Sequence, residues 1–375
     1  MSLALPLTTS GIGQRITVSE WVRARAAKEL AEIRAELLWA LLQQMNAAEI
    51  PYCVLCGYEG YPDAIASDVD IMVSARDVGR MGQLLSEVAL NCGALLVQAI
   101  RHETGAWYFV LAREAGDDVA YLHPDVSADY RRNGRLWLKA DEVLQNRQRY
   151  RKFFVPAPPD EFQYYLLKKI LKQHITGEQL QRLAALYGKR PEECSGRIRQ
   201  FWGKTAGAAL VSALVRQDLA WMRAHMPALL AELRESGPME QRQQRAAQHW
   251  REWRRSVERA KHPTGLSIRV SGGGSQQRAE LAMVLEQNLR PAFRRTRILA
   301  EDETGLPLAV WVWLAKVCST LVIRKRAPAH SLLRKRDEIC VEVSGAAERD
   351  AECATRFTLE WMAERAQKRM KQICD

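Results

Sequence analysis

The sequence lacks any uninterrupted apolar run of about 18 residues, the length that a helix needs to cross a bilayer. Its most apolar stretch, Leu306 to Ile323, is broken by Lys316. The start, Met1 to Gln14, has no cationic segment followed by a long apolar core. We therefore expect neither a secretory signal nor a membrane span, and we expect a cytoplasmic protein.

Glycine and proline are also sparse, at 22 and 14 of 375 residues, which excludes collagen-like and low-complexity classes. The eight cysteines are scattered singly apart from Cys53 and Cys56, and no second pair stands at the spacing of a zinc site. Those two lie in an apolar run typical of a buried strand, so we interpret them as core thiols of a reducing compartment. Hydrophobic residues make up 47% of the chain, which excludes a disordered protein.

Positive charge is in excess, with 55 basic and 44 acidic residues and a formal net charge of +11. This balance favours an anionic partner such as nucleic acid or a nucleotide, although a basic surface without a partner explains it equally well. The clearest basic segment is the predicted helix Met239 to Arg259, where Trp250 and Trp253 stand among arginines. Glu252 and Glu258 interrupt it, so a solvated helix with inward-packed tryptophans is favoured over a nucleic-acid-binding stripe.

Hydrophobic spacing and turn residues divide the chain into three regions, in line with about two or three domains for this length. Residues 1–150 alternate helix and strand patterns, which predicts an α/β unit with a mixed sheet. Residues 151–262 follow the proline-rich segment Pro156 to Pro159 and show amphipathic helical spacing, so we expect a helical region. Residues 263–375 begin with a strand, a glycine turn and a helix, which predicts a second, smaller α/β domain.

Several elements have definite predicted bounds. The spacing of apolar residues predicts a helix over Val18 to Ala48 and strands at Tyr52 to Leu55 and Ser67 to Val73. The same reasoning predicts one strand at Val119 to Val126 and one helix at Ala206 to Ala224.

The motif best suited to chemistry is Asp68-Val69-Asp70. Residues two apart on a strand point to the same face, so the two carboxylates project together. They repel each other unless a cation joins them, and Mg²⁺ commonly binds one or two carboxylates together with substrate phosphates. Asp125 is placed to add a third acid and complete a two-metal site for phosphoryl or nucleotidyl transfer. The alternative is a pair of surface acids at the end of a strand.

Around this motif the sequence resembles the nucleotidyltransferase superfamily, which has a polymerase-beta-like fold and places a glycine-containing turn before an Asp-x-Asp strand. It resembles in particular the nucleotidyltransferases that carry a thymidylate-kinase-like domain behind the first. The resemblance lies in Leu55 to Pro62, Ser67 to Val73, Leu122 to Tyr130 and Pro159 to Lys169, and covers most of residues 50–180.

The resemblance implies a Mg²⁺- or Mn²⁺-dependent enzyme that moves a nucleoside monophosphate from a nucleoside triphosphate to an acceptor. It implies that Asp68, Asp70 and Asp125 are the catalytic, metal-binding acids and that Gly57 lets the backbone approach the triphosphate. Tyr58 stands where the family has a small Ser or Gly, so the nucleotide-binding turn lacks a small hydroxyl donor here. The acceptor is left open among a glycan intermediate, a protein and an RNA, and the family context suggests bacterial surface-polysaccharide biosynthesis. A homo-oligomer is also possible.

Two lysines are further candidates for nucleotide binding. Lys168 and Lys172 lie four residues apart on a predicted helix and share one face. They can approach phosphate oxygens as point charges. A solvated basic face is the alternative.

The third region resembles the start of a P-loop kinase, with a short strand followed by the turn Ser271 to Ser275. An active loop needs a glycine, then a lysine for the phosphates and a hydroxyl residue for magnesium. Gln276, Gln277 and Arg278 stand at those positions instead. We expect a degenerate domain without kinase activity, kept for packing, dimerisation or ligand sensing. If the acids of the first domain have lost their role as well, the protein is a non-catalytic scaffold or regulatory protein.

Overall fold

The computed structural model describes residues 18–103, 105–132, 135–236, 242–299, 306–325, 338–343 and 347–374. Over these residues the chain is a mixed α/β protein. The described helices are α1 (Val18–Ala47), α2 (Met81–Asn91), α3 (Ala140–Gln145), α4 (Pro158–Lys172), α5 (Gly177–Lys189), α6 (Pro191–Arg199), α7 (Lys204–Val215), α8 (Leu219–Ser236), α9 (Arg242–Lys261), α10 (Ser275–Leu289), α11 (Leu306–Val317) and α12 (Ala347–Cys374). None of these helices combines the length and the apolar character that crossing a membrane requires.

The strands form two larger sheets and two hairpins. The first sheet and the hairpins contain β1 (Tyr52–Val54), β2 (Val69–Val73), β3 (Leu95–Glu103), β4 (Ala106–Ala115), β5 (Asp118–Leu122), β6 (Pro124–Ser127), β7 (Tyr130–Arg132), β8 (Arg135–Leu138), β9 (Gln148–Tyr150) and β10 (Phe153–Val155). The second sheet contains β11 (Leu266–Gly272), β12 (Arg295–Leu299), β13 (Thr320–Lys325) and β14 (Glu338–Val343).

The first sheet has the order β1-β2-β6-β4-β3, with β5 paired to β4. Strands β2 and β6 run parallel and the other pairs are antiparallel, so the sheet is mixed, as predicted. Alternation along β2 buries Val69 and Ile71 in one core with Leu37 and Leu41 of α1. The predicted helix and first two strands agree with α1, β1 and β2 to within a few residues.

The single strand predicted over Val119 to Val126 is wrong, because the chain changes partners there. Strand β5 pairs with β4, whereas β6 pairs with both β4 and β2. His123 lies between the two strands and its carbonyl accepts a hydrogen bond from the Val69 amide at 2.9 Å. Pro124 has no amide hydrogen to donate, which suits the first position of a strand.

Helices α4 to α8 enclose a second core, in which Phe162, Leu183 and Leu210 are buried. The single helix predicted over Ala206 to Ala224 is wrong, since α7 ends and α8 begins within it. Gln217 between them has a left-handed backbone with φ of 52°. The predicted start of the next helix at Met239 lies outside the described residues.

Helix α9 places its tryptophans differently from the prediction. Trp250 and Trp253 are 62% and 56% exposed and stack on each other with ring centroids 4.8 Å apart. The prediction that they pack inward is therefore wrong. The inward face of the helix is occupied by Arg255 and Arg259, which donate hydrogen bonds to the Arg101 carbonyl and the Ser319 hydroxyl.

The second sheet is parallel throughout, with the order β12-β13-β11-β14. The predicted strand, glycine turn and helix correspond to β11, residues 272–274 and α10. The hydrophobic pattern did not indicate β12, because arginines alternate with its other residues. The most apolar stretch of the sequence, Leu306 to Ile323, divides into α11 and most of β13.

The second sheet and helices α10 to α12 form the C-terminal unit of the chain. This unit packs directly on the first sheet. Side chains from β3, β4 and β5 share one buried cluster with the C-terminal unit, which includes Val97, Val110, Ala112, Tyr121, Leu266, Ile268, Leu281, Leu285 and Leu321. The Tyr121 hydroxyl donates to the Asn288 carbonyl at 2.7 Å. Near the end of α12, Ala366 is buried in the core of the first unit and Met370 packs against that core. The C-terminal unit and the first sheet therefore have a common interior.

Candidate active site

Two of the predicted acids lie side by side in the first sheet. Asp70 of β2 and Asp125 of β6 are register partners on adjacent parallel strands. Tyr108 of β4 is in turn the register partner of Asp125. Register partners project to the same face, and neighbouring strands lie about 4.8 Å apart. Asp70, Asp125 and Tyr108 therefore form a row across three strands.

Asp68 is the residue before β2, and a hydrogen bond links it to this row. Its Oδ1 accepts a hydrogen bond from the Tyr108 hydroxyl at 3.2 Å. Desolvation by the surrounding protein raises the pKa of Asp68, and the charges of Asp125 and Asp70 raise it further, against the opposing effects of His123 and Tyr108. The three acids thus interact electrostatically, with Asp68 the exposed member.

Asp70 is held by a lysine and a thiol. Lys168 Nζ lies 2.6 Å from Asp70 Oδ2 and also donates to the Tyr164 hydroxyl at 3.2 Å. Burial disfavours the ammonium form, yet the charge of Asp70 and its hydrogen bond raise the pKa of Lys168 above its ordinary value. Cys56 Sγ donates to the same carboxylate oxygen at 3.2 Å, and burial raises the pKa of this thiol to about 12. The sequence predicted Cys53 and Cys56 as core thiols. Cys53 is buried, whereas Cys56 is only partly buried and is a neutral donor at the site.

Asp125 is held by His102, a residue that the sequence did not single out. The register of β3 with β4 shifts between Arg101 and Glu103, so His102 occupies a β-bulge. A bulge redirects a side chain, and here the imidazole Nε2 lies 2.9 Å from Asp125 Oδ1. Burial favours the neutral imidazole, but the hydrogen bond to Asp125 and its charge raise the pKa of His102. The run of three polar residues at the end of an apolar strand was the available signal.

Of the residues predicted to bind nucleotide, Gly57 and Lys168 lie beside the acids or their partners, whereas Lys172 does not. Gly57 directly follows Cys56 and has a φ of 77°, a left-handed conformation that side chains disfavour. It therefore makes the turn that the resemblance requires. Lys168 reaches Asp70, whereas Lys172 is exposed one turn further along α4, and no described contact joins it to the acids.

Tyr58 has its side chain in the core. Its hydroxyl donates to Glu161 Oε2 at 2.6 Å, and its ring packs edge-on against Tyr150 and Phe153. Glu161 is itself buried and accepts from Arg182 Nη2 at 2.6 Å. The side chain of Tyr58 therefore fastens the turn to α4, which leaves only its backbone for a nucleotide.

This placement predicts a structural effect of Tyr58→Phe. The change leaves the buried Glu161 carboxylate with one donor fewer, so we expect the free energy of unfolding to fall by about 1–3 kcal/mol. Urea unfolding followed by circular dichroism measures it. Tyr150→Phe removes a hydroxyl from the same ring cluster without touching Glu161 and should change stability less. A Tyr58→Phe protein of unchanged stability but weaker nucleotide binding would contradict this interpretation.

The glycine turn before α10 is closed by its own side chains. The Gly274 amide donates to Gln277 Oε1 at 2.8 Å. Arg278 is buried and its Nη1 donates to the carbonyls of Gly272 and Gly273 at 3.0 and 2.7 Å. A backbone amide that an anion site would present to phosphate is thus already bonded within the loop.

The arrangement of the three acids determines whether they could hold a divalent cation. Among the described residues, no three His, Cys, Asp or Glu side chains are arranged as a metal site. Asp68, Asp70 and Asp125 are instead held by Tyr108, Lys168 and His102 respectively. Each of these bonds engages one oxygen of its carboxylate. Neighbouring carboxylate oxygens are the donors that Mg²⁺ or Mn²⁺ prefers, so the three acids match such an ion in donor chemistry, although they are not arranged around one.

Comparison of the chain with models of known protein families, with curated proteins and with solved structures finds no match. The resemblance to nucleotidyltransferases therefore stays a prediction, and function has to be argued from the site itself.

Proposed function

We propose that the chain is a Mg²⁺- or Mn²⁺-dependent nucleotidyltransferase. The observation that supports it most is the pairing of Asp70 with Asp125 on adjacent parallel strands, with Asp68 tied to the same row through Tyr108. Carboxylates held side by side repel one another, which is unfavourable unless a cation compensates. Lys168 compensates part of this charge at Asp70, and a divalent ion that arrives with the substrate would compensate the rest.

In the proposed reaction an acceptor hydroxyl oxygen bonds to the α-phosphorus of a nucleoside triphosphate. The bond from that phosphorus to its bridging oxygen breaks, and pyrophosphate leaves with the electron pair. Asp68 and Asp70, with Asp125, would hold the cation, which when bound neutralises charge on the phosphates. Asp125 accepts the hydroxyl proton, and its orientation is fixed by His102.

Lys168 would bind the phosphates from the α4 side of the site. An ammonium group has three donors, and the structure directs two of them to Asp70 and Tyr164. Gly57, the residue after Cys56, would let the backbone approach the phosphates closely. We propose a hydroxyl-bearing glycan intermediate of surface-polysaccharide synthesis as the acceptor, with a protein or an RNA as the alternatives.

A nucleotide screen tests this proposal. We expect at least one nucleoside triphosphate to raise the melting temperature of the full chain when Mg²⁺ or Mn²⁺ is present, and not in EDTA. The corresponding nucleoside monophosphate, which lacks the β- and γ-phosphates, should raise the melting temperature less. If no nucleotide stabilises the protein with either metal, the non-catalytic scaffold becomes the better description.

A further inference from the structure

A cavity of about 160 Å³ lies at the outer edge of the first sheet, where β3, α9 and α12 meet. Cavities of about 150 Å³ accept ligands the size of benzene, so a phosphate-sized group fits inside. Its lining includes one acid, Glu258, and a set of arginines, Arg101, Arg255, Arg259 and Arg369.

Glu258, the acid that lines the cavity, is already paired with an arginine outside the lining. Glu258 accepts a hydrogen bond from Arg254 Nε at 3.1 Å, and Arg254 lies on the exposed side of α9 with 73% of its side chain accessible. Arg255 is held in place by Glu252 and by the Arg101 carbonyl. The arginines therefore outnumber the acids around the cavity, and their side chains are fixed before any ligand binds.

Arg259 lines the cavity and is bonded to a neutral group. Its Nη2 donates to the Ser319 hydroxyl at 2.8 Å, and among the described residues no carboxylate forms an ion pair with it. Burial lowers the pKa of Arg259, and the charges of Arg255 and Arg294 lower it further.

The chemistry of the lining defines the ligand. Guanidinium groups bind phosphate oxygens in a fixed, often bidentate geometry, and several of them around one small cavity match an anion that carries more than one charge. We propose that this cavity binds the phosphate or pyrophosphate group of a small phosphorylated ligand. The cavity is lined from β3, which β4 separates from β6 with its Asp125, and His102 next to Arg101 is the described contact between the two places. The cavity is a second site, and it does not depend on the proposed nucleotidyl transfer.

The walls of the cavity come from both sheet units. Arg101 belongs to β3 of the first sheet, whereas Arg369 belongs to α12 and donates to the Pro263 carbonyl at 2.7 Å. A bound anion would hold α12 against the edge of the first sheet. Because a ligand that binds only the folded protein stabilises it, occupancy should raise the melting temperature of the whole chain.

Calorimetric titration of the full chain with pyrophosphate in EDTA tests the proposal without a divalent ion at the acids. We expect one molecule bound per chain and a rise of a few degrees in melting temperature, with sulfate at equal ionic strength giving a smaller rise. A sugar phosphate, a nucleoside monophosphate and a short-chain phosphatidate, titrated separately, distinguish the possible sources of the phosphate group. No binding of pyrophosphate, or equal effects of pyrophosphate and sulfate, would overturn the proposal.

Two matched variants of α9 locate the binding. Arg259→Gln should weaken pyrophosphate binding by about tenfold or more, the loss expected when a charged hydrogen-bonding group is removed. Arg251→Gln removes the same charge from an exposed position of α9 that does not line the cavity, and it should change affinity less than about twofold, in keeping with the small contribution of exposed charges. Equal losses in both variants would mean non-specific attraction. If Arg259→Gln does not fold, Arg369→Gln provides the same comparison from α12.

Discussion

Replacing Asp70 by Asn is expected to abolish the metal-dependent stabilisation by nucleoside triphosphate and to lower turnover by about 10²-fold or more. That is the usual cost of removing one group that stabilises charge in a transition state. Asn has nearly the shape of Asp, and its amide oxygen can still accept from Lys168 and Cys56, so the protein should fold. Thermal shift with and without Mg²⁺, together with pyrophosphate release, measures both effects. The pKa of Asp68, followed by NMR, should fall because the charge of Asp70 contributes to raising it.

Asp117→Asn is the matched control for this experiment. Asp117 is an exposed acid in the turn between β4 and β5, so its change removes the same charge away from the row of acids. Retained metal-dependent stabilisation in Asp70→Asn, equal to that of Asp117→Asn, would contradict the assignment of Asp70.

The same assay distinguishes turnover at the acids from turnover at the glycine loop before α10. A protein with both Asp68→Asn and Asp70→Asn should show no remaining metal-dependent turnover of nucleoside triphosphate, since Gln277 and Arg278 close the loop before α10. Residual turnover that disappears when Arg278 is changed would show that the loop binds nucleotide after all.

The parts of the site that were predictable from sequence are those fixed by local spacing. Asp68 and Asp70 flank the buried Val69, so their closeness followed from the spacing, although Asp68 itself precedes β2. Gly57 could be expected to turn the chain because it follows an apolar strand. The strand, turn and helix around Ser275 were readable for the same reason.

The partners of the acids were not predictable, because they depend on pairing between distant segments. His102 reaches Asp125 only through a bulge in the pairing of β3 with β4. Tyr108 reaches Asp68 because β4 lies beside β6, an order that no local pattern encodes. Tyr58 was placed at the nucleotide by its position in a motif, whereas the buried Glu161 more than 100 residues later decides where its side chain goes. Periodicity indicates which face of an element is apolar, but not which element covers it.

The C-terminal unit covers β3, β4 and β5, so we expect its removal to have a large effect on solubility. Removing residues 263–375 should make the remaining chain insoluble or strongly aggregating. Val97, Val110 and Tyr121 would lose their buried contacts with the C-terminal unit. At about 1.5–3 kcal/mol for each fully buried side chain, the loss is about 5–9 kcal/mol. That approaches the whole stability of an ordinary domain, about 5–15 kcal/mol. Soluble yield, size-exclusion chromatography and binding of an apolar dye, compared with the full chain, measure the effect.

Cleavage of the intact protein gives the same prediction without expressing a fragment. A protease site inserted between Lys261 and His262, which are both exposed, would cut the connection that follows α9 while leaving both sheet units complete. We expect the two pieces to stay together through purification at moderate salt, because the contact between them is a shared apolar core and not a set of surface charges. The hydrogen bond from Tyr121 to Asn288 and the packing of Ala366 within the first core would hold the cut pieces in register. Separation into two folded, soluble monomers would show that the units are independent domains. A complex that survives the cut would explain why a sheet unit with a closed glycine loop is retained, since the first sheet needs it as the cover for one of its faces.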